Sequence, residues 1–483
     1  MPRPNVLWIC TDGQRWDVLG CYGNELVATP HLDRLAQDGL VFENAFCQSP
    51  VCNPSRASFL TGRYPRTTRT RQSARGMPAD EVLVTKLLAD AGYSCGLAGK
   101  LHLGESGAAG GQANGERQVE TGYSVVHRSN SPTPNRPGNA YTGWLGERGL
   151  DYHSESYQDS PWVEAGMPAE HHHTTWCAQM AINFIEAHAG GEQPWLFSVN
   201  IFDPHFRLDP PADHLDRWVT RLDEIPLPNL VKGEIDGKPR FHGRHHRDEL
   251  DPPQPYPYLE MSDDDHRLIT AAYWTMGELI DAQVGRLLDA LERSGQLEDT
   301  IVIFTSDHGE LLGDHGIYLK GPFFFEPATH VPLIVSQPGA IEPGRSYALV
   351  ELVDLAPTLV EAAGLPPAPG MQGRSLAPLL QGNGDRDQHR DDVYCEFYNA
   401  IDRPAEAAVH STMVRTRRHK LILHHSSDEG ELYDLREDPG ENVNRWDSAS
   451  HAEIKTELLI QLANRMAWTV DPLPVRARPP REG

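Results

Sequence analysis

Short apolar runs along the chain end repeatedly in polar residues able to do chemistry. "NVLWIC" at 5–10 leads into Thr11 and Asp12, "WLFSVNIF" at 195–202 into Asp203 and His205, and "TIVIFTS" at 300–306 into Asp307 and His308. Such short runs, rich in Val, Ile, Phe and Trp, predict buried strands. Between them, Ile269, Tyr273, Met276, Ile280, Val284, Leu287 and Leu291 recur at spacings of three and four, predicting a helix over 266–292. A second helix is predicted over 80–91, with Gly92 as its C-terminal stop. Strands alternating with helices give an α/β fold, a large and mainly parallel sheet sandwiched by helices. Ligands of such sheets bind beyond the carboxyl ends of the strands, where these three strands deliver Asp or His.

Residues 104–175 and 207–262, rich in Gly, Pro, His and Asp and weakly periodic, read as long loops that shape the rim of the pocket. After "NGDRDQHRDD" the pattern changes. "MVRTRRHKLILHH" and "GELYDLREDPGENVN" predict antiparallel strands and turns, followed by a helix over 450–467. The expected division is a catalytic domain at 1–384 and a smaller C-terminal α+β subdomain at 385–483 that carries an antiparallel sheet.

Composition narrows the function. The chain has 483 residues, 39% hydrophobic and 23% charged, and no apolar run approaches the ~18 residues of a membrane span. A net charge of -25 argues against nucleic acid as the main partner. An anionic substrate would need a locally basic pocket. The opening "MPRPNVLWIC" has no signal-peptide core, so a cytoplasmic protein is expected. Seven cysteines without a C-x-x-C pair are expected to be mostly reduced and buried. The clusters "HHH" at 171–173 and "HGRHH" at 242–246 read as solvated surface loops ahead of metal sites.

The stretch "SPVCNPSRASFLTGRYP" at 49–65 asks for a different explanation. Asn53 suits an N-cap, Pro54 the first helical position and Gly62 the C-terminal cap, so "PSRASFLT" predicts a short helix with Cys52 just before it. Free N–H groups and the helix dipole favour negative charge there, which suits a thiolate, an oxyanion or a bound sulfate or phosphate. Arg56, one turn on, can return toward the same end. The string C-x-P-S-R-x-S-x-x-T-G-R, met at Cys52, Pro54, Ser55, Arg56, Ser58, Thr61, Gly62 and Arg63, resembles the signature of the type I, formylglycine-dependent sulfatases of the alkaline-phosphatase-like superfamily. "PNVLWICTDGQRWDVLGCYGN", "AGKLHLG", "FDPHF", "TSDHGELLGDHG" and "VDLAPTLVEAAG" resemble further landmarks of that family.

The resemblance implies hydrolysis of a small-molecule or saccharide sulfate ester, with Cys52 converted to formylglycine by dedicated machinery. One geminal hydroxyl of the hydrated aldehyde would attack sulfur, and the other would later expel sulfate. It also implies one divalent metal ion, held by Asp12, Gln14, residue 52, Asp307 and His308. Oxygen-rich ligation suits calcium, with magnesium or manganese as alternatives. Gly13 stands where the family usually has Asp or Gln, so Gln14 turning in, an extra water or a weakened site are the ways to fill the gap. By the same resemblance Lys100 contacts sulfate oxygens, His102 is the base that releases sulfate, and His205 with Lys320 serves the leaving group. Arg56, Lys100 and Lys320 would form the local positive well, and desolvation among aromatics is expected to lower the pKa of Lys320. Asp314 and His315 read as structural. Two other readings stay open, a phosphonate monoester or phosphodiester hydrolase of the same superfamily and a non-catalytic binder of sulfated ligands.

Overall fold

Alternation along each apolar run decides the architecture. In the strand Asn5–Thr11, Val6, Trp8 and Cys10 enter one apolar core while Leu7 and Ile9 enter another, and all five are buried. Thr300–Ser306 does the same with Ile301 and Ile303 against Val302 and Phe304. A strand buried on both faces must be covered by helices on both sides. The computed structural model describes residues 3–73, 76–103, 119–133, 139–250, 253–400 and 409–473.

Nine strands of the described residues form one sheet. Its path runs Gly344–Glu351, Gly39–Phe46, Leu333–Ser336, Thr300–Ser306, Asn5–Thr11, Trp195–Asn200, Ser94–Gly99 and Val125–Arg128, with the short strand His330–Val331 beside Gly39–Phe46. Pairing is parallel throughout from Thr300–Ser306 to Val125–Arg128. Leu333–Ser336 is antiparallel to both its neighbours, so Gly39–Phe46 runs in the same direction as the central strands.

The predicted helix of the central region extends over Asp263–Arg293, starting three residues early because Ser262 and Asp265 form a reciprocal capping box. It packs against the helix His173–Ala187. The helix expected over 80–91 is Val84–Asp90, and Gly92 follows it with a φ of 95°.

The second expected loop region proves structured. Within 207–262, the helices Ala212–Val219 and Arg240–His246 form, and Leu208, Leu215, Trp218, Ile225 and Tyr256 build a core against Ile269 and Tyr273. In 104–175 the described part holds the edge strand Val125–Arg128 and the helix Ala140–Gly146, while 104–118 and 134–138 lie outside the described residues. Helices of seven or eight residues span about two turns, too few for an apolar period to stand out.

Toward the C-terminus, Asp392–Tyr398, His410–Thr416, His419–His424 and Gly430–Asp434 pair consecutively into a four-stranded antiparallel sheet. The helix Ala452–Trp468 covers it through Leu458 and Leu462, which meet Val414, Leu421 and Leu432. Among the described residues no helix is long and apolar enough to cross a membrane.

Candidate active site

Register brings the site together. Thr11 pairs with Ser306 in parallel, so the next residue of each strand, Asp12 and Asp307, emerges at one place. Both are fully buried. The neighbouring strand Trp195–Asn200 leads to His205, and Ser94–Gly99 leads to Lys100 and His102. Gly99 has a φ of 97°, and a Cβ there would lie 1.9 Å from the Asn200 carbonyl oxygen. Only glycine lets the two strand ends approach so closely.

The signature helix is Cys52–Thr61, buried along its whole length. Its N-cap is Val51 rather than Asn53, whose side-chain amide donates to the Gln72 and Ser73 carbonyls, so Cys52 is the first helical residue and not the residue before. Gly62 closes the helix with a φ of 69°, as expected. Ser55 Oγ donates to the Asp307 carbonyl at 2.5 Å, tying the helix to the strand end.

Asp12, Cys52, Asp307 and His308 place one ligand atom each within 4.8 Å of one another. Cys52 Sγ lies 3.5 Å from Asp12 Oδ1 and 3.2 Å from His308 Nε2. Lys100 Nζ pairs with Asp12 Oδ2, and its ammonium stands 5.2 Å over the Phe202 ring. His205 Nε2 is 4.0 Å from Asp12 Oδ1. Arg56 does not open into the pocket as a free cation. It is 1% exposed, donates Nε to Asp307 Oδ2 at 2.8 Å and Nη1 to the Lys100 carbonyl at 2.8 Å, and lies 3.5 Å from Asp12 Oδ2.

Gly13 has a φ of 73°, and a Cβ at this position would sit 3.4 Å from His308 Cε1. Its N–H donates to Asp307 Oδ1 at 3.1 Å and its carbonyl accepts from Tyr273 OH at 2.5 Å. Gln14 is fully buried with neither amide atom hydrogen-bonded. A buried amide oxygen in that state is costly unless a cation or donor meets it. Two carboxylates, an imidazole and this amide form a donor set that fits a hard divalent ion.

The charges shape one another. Burial and Cys52 would push the Asp12 carboxyl up, but Lys100, His205 and Lys320 hold it well below the usual range. Burial pushes the Cys52 thiol up, yet Lys100, Lys320 and His308 pull it far below a free thiol. Burial pulls His308 down, and the Asp307 and Cys52 charges lift it to about 9. His102 is lowered by burial and Lys100, and His205 by burial and Lys320, which favours neutral imidazoles able to accept a proton. Lys320 departs from expectation. Burial does pull it down, but Cys52, Asp12 and Glu310 outweigh that and raise it.

Asp314 accepts from Arg15 and the Asn229 N–H, and His315 lies 2.8 Å from Glu234, so both hold loops. Asp203 and the histidines at 171–173 were visible in the sequence, but not their meeting with Asp209 in the buried group His172, Asp203 and Asp209. Asp203 immediately precedes Pro204 and His205, its backbone carbonyl accepts from the Asp12 N–H at 3.2 Å, and its carboxylate meets Thr174 and His172. The clusters at 171–173 and 242–246 are not simply solvated, since His172, His173 and His242 are buried.

A buried nucleophile candidate beside paired aspartates, at the carboxyl edge of a mainly parallel sheet, defines a hydrolase of the alkaline-phosphatase-like superfamily. The sulfatase family model matches residues 4–365, and the model "N-sulphoglucosamine sulphohydrolase, C-terminal" matches 313–467. The chain belongs to the sulfatase family, and with it to the sulfuric ester hydrolases. It is similar to an N-acetylglucosamine-6-O-sulfatase of Bacteroides thetaiotaomicron, at 27% identity over 95% of this chain and 85% of that one. The human iduronate 2-sulfatase is 32% identical over 75% of this chain and 69% of its own length. Among solved structures, a phosphonate monoester hydrolase from Silicibacter pomeroyi superposes with a TM-score of 0.81 at 26% identity, covering 97% of this chain and 96% of that one.

Proposed function

We propose that the protein hydrolyses a sulfate ester through a formylglycine hydrate at position 52, assisted by one divalent cation, calcium first among the candidates. The observation that carries the reading is the convergence of Cys52 with Asp12, Asp307 and His308 within 4.8 Å at the carboxyl edge of the sheet. Asp12, Asp307, His308 and the Gln14 amide oxygen would hold the cation. When bound, that ion would polarise the sulfate and favour the ionised form of the attacking hydroxyl.

The remaining work falls to the chain's own side chains. A geminal hydroxyl at residue 52, its proton passed to water, attacks sulfur, and the sulfuryl group passes from the ester oxygen to that oxygen. Lys100 orients the transferring oxygens. His205 and Lys320 supply the proton that the departing alkoxide takes, help worth about 10²- to 10⁴-fold. His102 then removes the proton of the second geminal hydroxyl, the carbonyl re-forms, and the carbon–oxygen bond to sulfate breaks. Burial and Lys100 lower the basicity of His102, so its imidazole is neutral and able to accept that proton.

A sulfated saccharide is the substrate class favoured by the relatives, which act on N-acetylglucosamine-6-O-sulfate and iduronate 2-sulfate by name. A phosphonate monoester is the second reading, favoured by the 0.81 TM-score to a phosphonate monoester hydrolase. Mass spectrometry of the peptide holding residue 52 should find an aldehyde in place of the thiol. Turnover of aryl sulfate, 6-sulfated N-acetylglucosamine and phenyl phosphonate esters by the converted protein then decides the class. A higher kcat/KM for the phosphonate would replace the first reading with the second.

A further inference from the structure

The helix Arg240–His246 brings His242 against the C-terminal antiparallel sheet. His242 is fully buried, and neither of its ring nitrogens makes a hydrogen bond. Its Nε2 nevertheless lies 3.3 Å from Glu431 Oε1. A nitrogen that close to an acceptor without bonding to it points beside the oxygen rather than at it. His424 Nε2 lies 3.0 Å from the same carboxylate oxygen. Ile422 pairs with Glu431 across the strands His419–His424 and Gly430–Asp434, which sets His424 and Glu431 on one face. The three ligand atoms lie within 4.8 Å of one another, all on buried residues.

We propose that His242, His424 and Glu431 form a second cation site, built for zinc and separate from the Asp12 cluster. Zinc bonds of about 2.0–2.2 Å to nitrogen and oxygen set tetrahedral ligand atoms about 3.3 Å apart. Two of the three separations, 3.3 and 3.0 Å, are close to that edge, and the third lies within 4.8 Å. Two imidazoles and one carboxylate are a donor set zinc takes, with one position left for water.

The surroundings hold the ligands as metal ligands are held. His424 Nδ1 lies 2.7 Å from Ser411 Oγ, which turns Nε2 inward. Tyr433 OH donates to Glu431 Oε2, leaving Oε1 to the imidazoles. Lys238 Nζ bonds the Tyr433 hydroxyl at 2.9 Å rather than the carboxylate. The His242 ring meets Phe323 edge-on at 4.9 Å and Phe325 at 5.6 Å. Those phenylalanines follow Lys320 closely in the chain. An ion here would therefore clip the 240–246 helix and the C-terminal sheet around the segment that carries Lys320.

The test uses zinc alone on full-length Cys52→Ala protein saturated with calcium, which occupies the first cluster and removes its sulfur ligand. After dialysis from zinc, metal analysis should find about one tightly held zinc per chain. The zinc-edge X-ray absorption spectrum should show nitrogen and oxygen ligands with two imidazoles. His242→Phe, which keeps an aromatic ring against Phe323, and Glu431→Gln should each lose that zinc. Zinc washing out of the parent, zinc bound without an imidazole pair, or zinc retained undiminished in both variants would each overturn the site. The spectrum of the parent decides the matter even where neither variant folds, and because the readout is metal content, it stands apart from whether the protein turns over a sulfate ester.

Discussion

Replacing Arg56 by alanine tests the electrostatic construction of the site most directly. Its guanidinium lies 2.8 Å from Asp307 and 3.5 Å from Asp12, and all three groups are buried. At an effective dielectric of about 20 those contacts are worth ~6 and ~5 kcal/mol of gross attraction. Most of that offsets the cost of removing three charges from water. What the variant exposes is the net penalty of leaving two carboxylates buried near each other, about 3–5 kcal/mol. Lys100 remains beside Asp12, and His308 remains 3.6 Å from Asp307 Oδ1, so both soften the loss, but Asp307 Oδ2 gives up its 2.8 Å contact with the guanidinium.

Chemical denaturation in chelator should therefore find Arg56→Ala destabilised by about 3–5 kcal/mol relative to the parent. Adding millimolar calcium should stabilise the variant more than the parent, because a divalent ion between the aspartates replaces the missing positive charge. Arg56→Lys should fall between, since an ammonium restores charge but cannot reach Asp307, Asp12 and the Lys100 carbonyl together. Stability of Arg56→Ala within about 1 kcal/mol of the parent in chelator, or an equal calcium response in both, would refute the reasoning.

Cys52→Ser should lose at least about 10³-fold in kcat while keeping the parent's unfolding transition, because serine cannot become the aldehyde by the cysteine route. Retained turnover would remove residue 52 from the chemistry. Gln14→Ala should raise the cation concentration for half-maximal activity by about tenfold or more without changing stability in chelator. An unchanged requirement would place that amide outside the cation site. Burial pushes the Asp354 carboxyl up, but Arg390, His389 and the Arg374 N–H bring it from 3.8 down to about 2. Its folded value lies below its unfolded one, so its contribution of about 2 kcal/mol is complete above pH ~4 and is lost as pH falls toward 2. Asp354→Asn should be less stable at pH 6 and should flatten the acid limb between those values, as read by thermal unfolding across pH.

What could be read in advance was whatever one element decides alone. A parallel strand buried on both faces is a continuous apolar run, so its end is visible, and Asp12 and Asp307 could be named before their register was known. The signature helix carries its own stop in Gly62. What stayed hidden depends on partners far away in the chain. Glu351 and Asp354 share Arg390 in a buried network with Tyr64 and Arg465, and no local spacing marks that set. The same holds for His242, whose partners lie in two strands of the C-terminal sheet.

Lys320 shows why a residue named from sequence can be given the wrong electrostatics. Aromatic neighbours in sequence suggested desolvation alone, whereas Cys52, Asp12 and Glu310 converge on it from three other segments and reverse the sign. The basic pocket required by a chain of net charge -25 is likewise less free than the sequence implies. Arg56 is held by Asp307 and Asp12, and Lys100 by Asp12. On the proposed role of Lys100, it would turn to an anionic ester once another positive group takes the Asp12 oxygen it now holds. The affinity of this site for a sulfated substrate is thus coupled to the affinity of its carboxylates for a cation, and each must strengthen the other by the same factor.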